Sequence, residues 1–447
     1  MNAPATSTEW YASRFALFEK SLNGASGSAL HARRRKSLAA FAAAGFPTTA
    51  DEEWRFTNVS AIARTEFLPV TSHEPDGVSA ADIARFSFAG EDALQLVFIN
   101  GFFSPSLSRL DRLPRGLSVG SLADAIARDP SLIDVTFGAS AETERDGFTA
   151  LNGAFLIDGA YVRLADGAEA NRPVHLLCLS GKGTTPFISN PRHLIIAGRN
   201  SHLSVVETYI GLGPSNHLTN AVTDVMVGAD ASLEHDAIQI ESPGAYHVRS
   251  TRVRLEGKSN FTSNAITLGG ALTRNNVRAL FTGEHAECTL NGLALGTGTQ
   301  HMDNHTVIDH AAPTCASHEL YKSILDGAAK GVFNGKIFVR PGAQKTDAKQ
   351  TNKTLLLSDA ATIDTKPQLE IFADDVKCTH GATVGQLDED QLFYLRARGI
   401  GLSEAKDLLT VAFATDVINR VHVEPLRVQL EALLRSRLRQ GRVAAEE

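Results

Sequence analysis

Cysteine is scarce in this chain and thinly spread: Cys178, Cys288, Cys315 and Cys378 are the only four in 447 residues. Thiols so far apart suit a reduced set rather than a disulfide framework. Long apolar runs are missing too. No stretch approaches the roughly 18 uninterrupted apolar residues of a membrane span, and the first residues, MNAPATSTEWYASRF, lack the apolar segment of a secretory signal. The expectation is a cytoplasmic protein with no membrane partner. Positive charge is not in excess either. Lys and Arg total 43 against 50 Asp and Glu, a net charge of -7, which argues against nucleic acid as a partner. The one basic run, Arg33-Arg34-Arg35-Lys36, is expected on a solvated helix face. Neither G-x-S-x-G nor H-E-x-x-H occurs, which removes the simplest hydrolase and metalloprotease readings. Gly257-Lys258-Ser259 ends like a phosphate-binding loop, but Arg252 stands where that loop needs glycine. It reads as a turn, and no nucleotide is expected on this chain.

What the chain does have is ordinary globular composition, 43% hydrophobic and 21% charged. The first sixty residues read as helical: Tyr11, Phe15, Phe18 and Leu22 fall on one helix face, and a second helix over about 31–44 stops at Gly45 with Pro47 beyond. The run LQLVFINGFF at 94–103 reads as a strand broken at Asn100-Gly101, and Ser121 caps a short helix. From about residue 172 an internal repeat takes over. Turns at Gly198, Gly228, Gly257 and Gly283 are 30, 29 and 26 residues apart. The strand positions after them, Leu203, Leu233, Phe261 and Cys288, are 30, 28 and 27 apart, and Val174 extends the series backward by 29. A near-constant period of short strands and Gly/Asn/Asp turns indicates a solenoid. A β-sandwich would instead place turns every 8–12 residues or so without a higher period. The predicted fold is therefore mainly β: a right-handed parallel β-helix core over 86–390, a helical region over 1–85, and a helical region over 391–447. In the last, Ser403 reads as an N-cap and Ala405, Leu408, Leu409, Ala412 and Phe413 as the buried stripe. Pro425 then opens a helix with Leu426, Leu430, Leu433, Leu434 and Leu438 on its apolar face and Arg435, Arg437, Arg439 and Arg442 near its end. The helical regions are expected to cover the ends and edges of the solenoid.

The stretch TKPQLEIFADDVKCTHGATVGQLD, 365–388, concentrates the chemistry. On a strand Val376, Cys378, His380, Ala382 and Val384 share one face, with Cys378 and His380 about 6.6 Å apart. That separation is too long for a tight two-atom chelate and suits two donors to a cluster or an interface. A thiolate beside an imidazole attracts iron, copper or zinc. The plain alternative is a buried thiol next to a hydrogen-bonded histidine. His301, Asp303 and His305 likewise share a strand face, either as a secondary metal-binding set or as a hydrogen-bonded ladder; His310 and His318 follow. Asp374 and Asp375, being adjacent, would point to opposite faces of a strand and cannot form an acid–base pair.

Over 321–400 the segments YKSILDG, FNGKIFV, AQKTDAKQTNKTLLLS, TKPQLEIFADDVKCTHGATVGQLD and LFYLRARGI closely resemble the SufB/SufD family of iron–sulfur cluster assembly proteins. The segments GFPTTADEEWRFTNVS at 45–60 and GTQHMDNHTVIDHAAP at 298–313 extend the resemblance, and the first resembles SufD-like members most. The resemblance implies a non-catalytic scaffold subunit working with a SufB-like paralogue and a SufC-like ABC ATPase. It implies that His380 faces a cysteine of the paralogue across an interface where a transient iron–sulfur cluster sits, with Cys378 beside it as ligand or structural neighbour. It also implies that the C-terminal helical region docks the ATPase, and that a homodimer can form through the same edge. The alternatives are a SufB-like main scaffold and a carbohydrate-active β-helix enzyme. The few cysteines count against the first, and the missing signal and acid pair count against the second.

Overall fold

A computed structural model describes residues 7–22, 27–72, 77–137, 146–181 and 185–446, with side chains to 438. Its centre is a parallel β-solenoid of about eight turns. Each turn contributes one strand to an 11-stranded sheet and one to a 10-stranded sheet. From Val174 onward every ladder between successive turns is parallel. That excludes the sandwich, whose neighbouring strands would be antiparallel.

The repeat positions stack as the period requires: Leu203 pairs with Leu233, Leu233 with Phe261 and Phe261 with Cys288. All four are fully buried, because a column with one face against the opposite sheet has no access to water. Val174 departs from the expected register and pairs with Val205 rather than Leu203. Between the Glu169–His202 bridge and the Val174–Val205 pair, the earlier segment advances five residues while its partner advances three. The two extra residues lie beside Pro173, which has no N–H to give a ladder. The rung turns place one residue each in the left-handed region: Asn200, Asp230, Lys258, His285, Thr314 and Lys345. Lys258 confirms Gly257-Lys258-Ser259 as a rung turn. The glycines beside them serve a different need. A Cβ on Gly283 would come within 2.3 Å of the Gly257 backbone nitrogen, so stacked turns require bare backbone there.

The inner faces of the two sheets form the main core, with Leu96, Leu176, Val205, Phe261, Phe281, Ile308 and Phe333 among its buried members. Helical segments cover the outer faces. Near the N-terminus Ser7–Ser21 and Ala29–Ala44 bury Tyr11, Phe15, Phe18 and Phe41 against Ile188, Leu218, Val248 and Leu272 of the 11-stranded sheet. Ser121 caps Leu122–Arg128 as expected. The basic run does not lie wholly in solvent. Arg34 is buried, its Nε donates to the Leu156 carbonyl and its guanidinium faces Phe18, while Arg33 and Arg35 pair with Asp134 and Glu19.

The C-terminal helices Leu402–Ile418 and Glu424–Glu446 pack on the outer face of the 10-stranded sheet. Gly401 rather than Ser403 is the N-cap, and the buried stripe is rotated from the expected one. Ala405, Val411, Ala414, Val417 and Ile418 face the sheet, whereas Leu408 is 39% exposed and Ala412 is exposed. Small residues at 405 and 414 allow close approach of helix to sheet, and that contact overrides the choice of bulkier side chains. In the final helix Leu426, Leu430 and Leu434 are buried; the side chains of Arg439 and Arg442 lie outside the described residues. No helix among the described residues is long and apolar enough to cross a membrane.

Candidate functional site

The last two strands, Thr362–Ile371 and Lys377–Gly385, are the terminal members of the two sheets and have no neighbour on their far side among the described residues. The chain after Gly385 turns away to cover the outer face of the 10-stranded sheet. The expectation that the helical regions cap the solenoid ends therefore holds for the sheet faces but not for this end. Its lumen lies between the two terminal strands, and the strand Lys377–Gly385 is exposed along nearly its whole length.

Cys378 and His380 are on that strand, and register fixes the face they share. Cys378 stacks on Ala348, Ser317, Cys288 and Phe261, all buried. His380 stacks on Gln350, Glu319 and Leu290, also buried. Both side chains belong to lumen-facing columns and meet solvent only because the solenoid stops there. The two differ in environment. Cys378 is half-buried against Ile337, Val339, Ala343, Ala348 and Ala373, and this burial raises its thiol pKa above the ordinary value. His380 is exposed, and its ring makes no hydrogen bond with the described residues. The accessible imidazole is the more available donor; the tucked thiol is its neighbour. Asp374 and Asp375 are in the exposed turn just before, not on a strand.

The second candidate set sits elsewhere. His301, Asp303 and His305 lie on the outer face of the 11-stranded sheet, beneath the segment Glu52–Thr57. Thr57 Oγ1 donates to Asp303 Oδ2, so the 2.9 Å contact with His301 requires His301 Nε2–H to donate to that oxygen. Arg274 Nη1 donates to Asp303 at 2.7 Å, and its guanidinium lies 3.7 Å from the centre of the Trp54 ring. His305 bridges Asp303 at 3.1 Å and Glu53 at 3.5 Å. Burial opposes ionisation of Asp303, but Arg274 and His305 outweigh it and hold the carboxyl well below the usual range. Hydrogen bonding to His305 likewise keeps Glu53 low. A guanidinium in the middle of these donors repels a metal cation, and their polar atoms already clasp the N-terminal segment to the solenoid. Among the described residues no cluster of three or more His, Cys, Asp or Glu side chains is arranged to hold a metal ion.

Beside this clasp is a cleft of about 740 Å³ between 44–54 and the sheet. Three arginines on its floor carry carboxylate partners: Arg252 with Asp224, Arg274 with Asp303 and Arg340 with Asp309. It is separate from His380. Sequence reasoning missed two features that the register exposes: the polar column beneath His380, and buried His–Glu pairs such as His235–Glu207 and His247–Glu241. The first was within reach, since Glu319, Gln350 and His380 are spaced by 31 and 30 residues (350-319, 380-350), the solenoid period itself.

The comparisons with known proteins agree with this architecture. Residues 179–413 match the family described as SUF system FeS cluster assembly, SufBD core domain, and residues 5–176 match the SufBD protein N-terminal region. An iron–sulfur cluster assembly SufBD family protein of Synechocystis is 32% identical over 417 residues, 92% of this chain and 91% of its own. The iron–sulfur cluster assembly protein SufD of Escherichia coli is 30% identical over 400 residues, 89% and 90% of the two chains. The protein ABCI7, chloroplastic, of Arabidopsis thaliana is 30% identical over 425 residues, 92% of this chain and 87% of its own. With both family regions matched along nearly its whole length, and with the solenoid and its exposed terminal strand in place, this chain belongs to the SufBD family of the SUF iron–sulfur cluster assembly system.

Proposed function

We propose that this chain is the SufD-like, non-catalytic scaffold subunit of a cytoplasmic complex with a SufB-like paralogue and a SufC-like ATPase, and that His380 contributes to an interfacial site for a nascent iron–sulfur cluster. The observation that carries the proposal is the uncapped solenoid end, which presents His380 at the mouth of the lumen on a strand with an unpaired edge. Strand edges and open lumens are what a second solenoid covers. Two donors on one chain are an incomplete set for a cluster, which takes four. Completing the set from a partner ties cluster retention to closure of the interface, as a scaffold that releases its product requires. The cluster is the cargo here. His380 offers an imidazole nitrogen to iron, and Cys378, protonated in its half-buried setting, shapes the site as neighbour or joins as a second donor once iron displaces its proton.

The ATPase surface is the C-terminal helical region. Phe393 and Tyr394 are 73% and 56% exposed, and Leu402 and Leu408 add apolar area close by in sequence. Such a patch is characteristic of an interface.

The test is the iron and acid-labile sulfide content of the complex, purified anaerobically after co-expression with the SufB-like and SufC-like partners. With His380→Ala the complex is expected to assemble while its cluster content collapses. Unchanged cluster content would remove His380 from the site, and failure of the wild-type chains to assemble would remove the scaffold reading.

A further inference from the structure

His380 stands at the end of a register column that descends the lumen side of the 10-stranded sheet through Gln350 and Glu319. Parallel strands hold such neighbours about 4.8 Å apart, within reach of one another's side-chain tips. Gln350 is 1% exposed and Glu319 4%. Gln350 Nε2 donates to Glu319 Oε2 at 2.6 Å. That bond decides which way the amide points. With its nitrogen committed to the strand below, its oxygen is turned away from Glu319, and Oε1 is buried without a hydrogen-bond partner among the described residues. Across the lumen a Cβ on Gly335 would come within 2.2 Å of Gln350 Nε2, so the glycine makes room for the amide. An orphaned buried acceptor is destabilising by about 1–3 kcal/mol, and its presence beside a site calls for a donor.

The donor available is the His380 ring. A histidine that binds a metal through one nitrogen gives the N–H of the other to an oxygen, and this fixes the tautomer and aims the free lone pair. We infer that Gln350 is a positioning residue for His380: its Oε1 accepts the ring N–H, and Glu319 holds the amide in the orientation that makes this possible. The other ring nitrogen is then presented to the open end of the solenoid. The inference rests on the reading of His380 as a cluster donor for its purpose, though not for its geometry.

Ring ¹⁵N spectra of histidine-labelled full-length chain at pH 8 test it directly, with the His380 signals assigned by their loss in His380→Gln. The wild type is expected to show one dominant tautomer. In Gln350→Leu and Glu319→Leu that preference should fall roughly tenfold, the equivalent of one hydrogen bond. In Glu319→Gln it should be retained, because an amide oxygen still accepts from Gln350 Nε2. An unshifted His380 tautomer in a Gln350→Leu chain that melts as cooperatively as wild type would overturn the inference and leave Gln350 as lumen packing. Should Gln350→Leu not fold, Gln350→Asn keeps an amide but draws its oxygen back by one methylene, and the same comparison applies. The tautomer is read without any cluster. If it behaves as expected while His380→Ala retains full cluster content in the complex, the scaffold reading fails and the Gln350–His380 pair stands.

Discussion

Glu319 makes the residue-level physics measurable. Full burial pushes its carboxyl pKa up to about 7, whereas in the unfolded chain the same group titrates near 4.3. The folded state thus binds its proton more tightly than the unfolded state. Stability is unaffected below pH 4, erodes as pH rises between about 4.3 and 7, and stays reduced above that, by on the order of 3 kcal/mol. Glu319→Gln removes the titration. The melting temperature of the variant relative to wild type should therefore climb between pH 5 and pH 8, and a pH-independent difference would contradict the burial assigned to this carboxyl. Residue by residue, legibility tracked locality. That Cys378 and His380 share a face is legible because an x-spaced pair on a strand needs only the alternation rule; their role as a site rests on the family resemblance, not on the spacing. The burial of Arg34 is not legible, because its inward turn depends on the Leu156 carbonyl and the Phe18 ring. The shared face of His301, Asp303 and His305 follows from the same alternation rule, but Arg274 and Thr57, which give that face its purpose, come from 27 and 244 residues before His301 (301-274, 301-57).

Among the elements, the Glu52–Thr57 segment has the clearest consequence. It is a single 3-10 turn, Glu52–Trp54, with a short irregular continuation, and side chains hold it: Trp54 stacks on Phe148, at 5.3 Å, and under Arg274, Thr57 bonds Asp303, and Glu52 reaches Lys366 on the penultimate strand. Thr57→Val keeps the shape and removes the hydroxyl from a buried carboxylate, so it should destabilise by roughly 1–3 kcal/mol. Thr65→Val, which loses only a solvent-exposed bond from a half-buried hydroxyl to the Ala61 carbonyl, should change little. Urea unfolding of both variants checks this, and equal losses would mean that the segment is not clasped through Asp303. The solenoid strands are readable from sequence because each turn repeats one solution, and the period carries the register of one column through four turns, Leu203, Leu233, Phe261 and Cys288. The Val174 register was not readable, since two extra residues beside Pro173 break the period without breaking the hydrophobic pattern. The buried face of the helix Leu402–Ile418 is not legible for the opposite reason. Several faces are apolar enough to be buried, and only the sheet it meets selects among them.

For the whole molecule, the asymmetry of the two ends is the controlling fact. At its start the solenoid is blunted by antiparallel pairs, Leu117–Ser121 with Ala160–Leu164 and Phe102–Phe103 with Leu94–Ile99. At its finish nothing in the described chain covers the lumen, and Val384, His380 and Ala382 lie exposed on its rim. The sequence revealed that helices flank the core. It did not reveal that the C-terminal ones double back along a sheet face, which is a matter of tertiary packing. If the uncovered end is where a SufB-like paralogue or a second copy of the chain binds, charge placed on the rim should abolish association without harming the fold. Ala382 suits this because it is already exposed, at the end of its column above Asn352. Ala382→Arg should melt within a degree or two of wild type, since surface changes of this kind usually shift stability by less than about 0.5 kcal/mol. Buried at an interface, an unpaired guanidinium should weaken association by several kcal/mol, enough to dissociate a micromolar complex. Sedimentation of the variant, alone and with the paralogue, measures this. Association that survives Ala382→Arg would move the interface away from the lumen mouth, and with it any site that His380 could share.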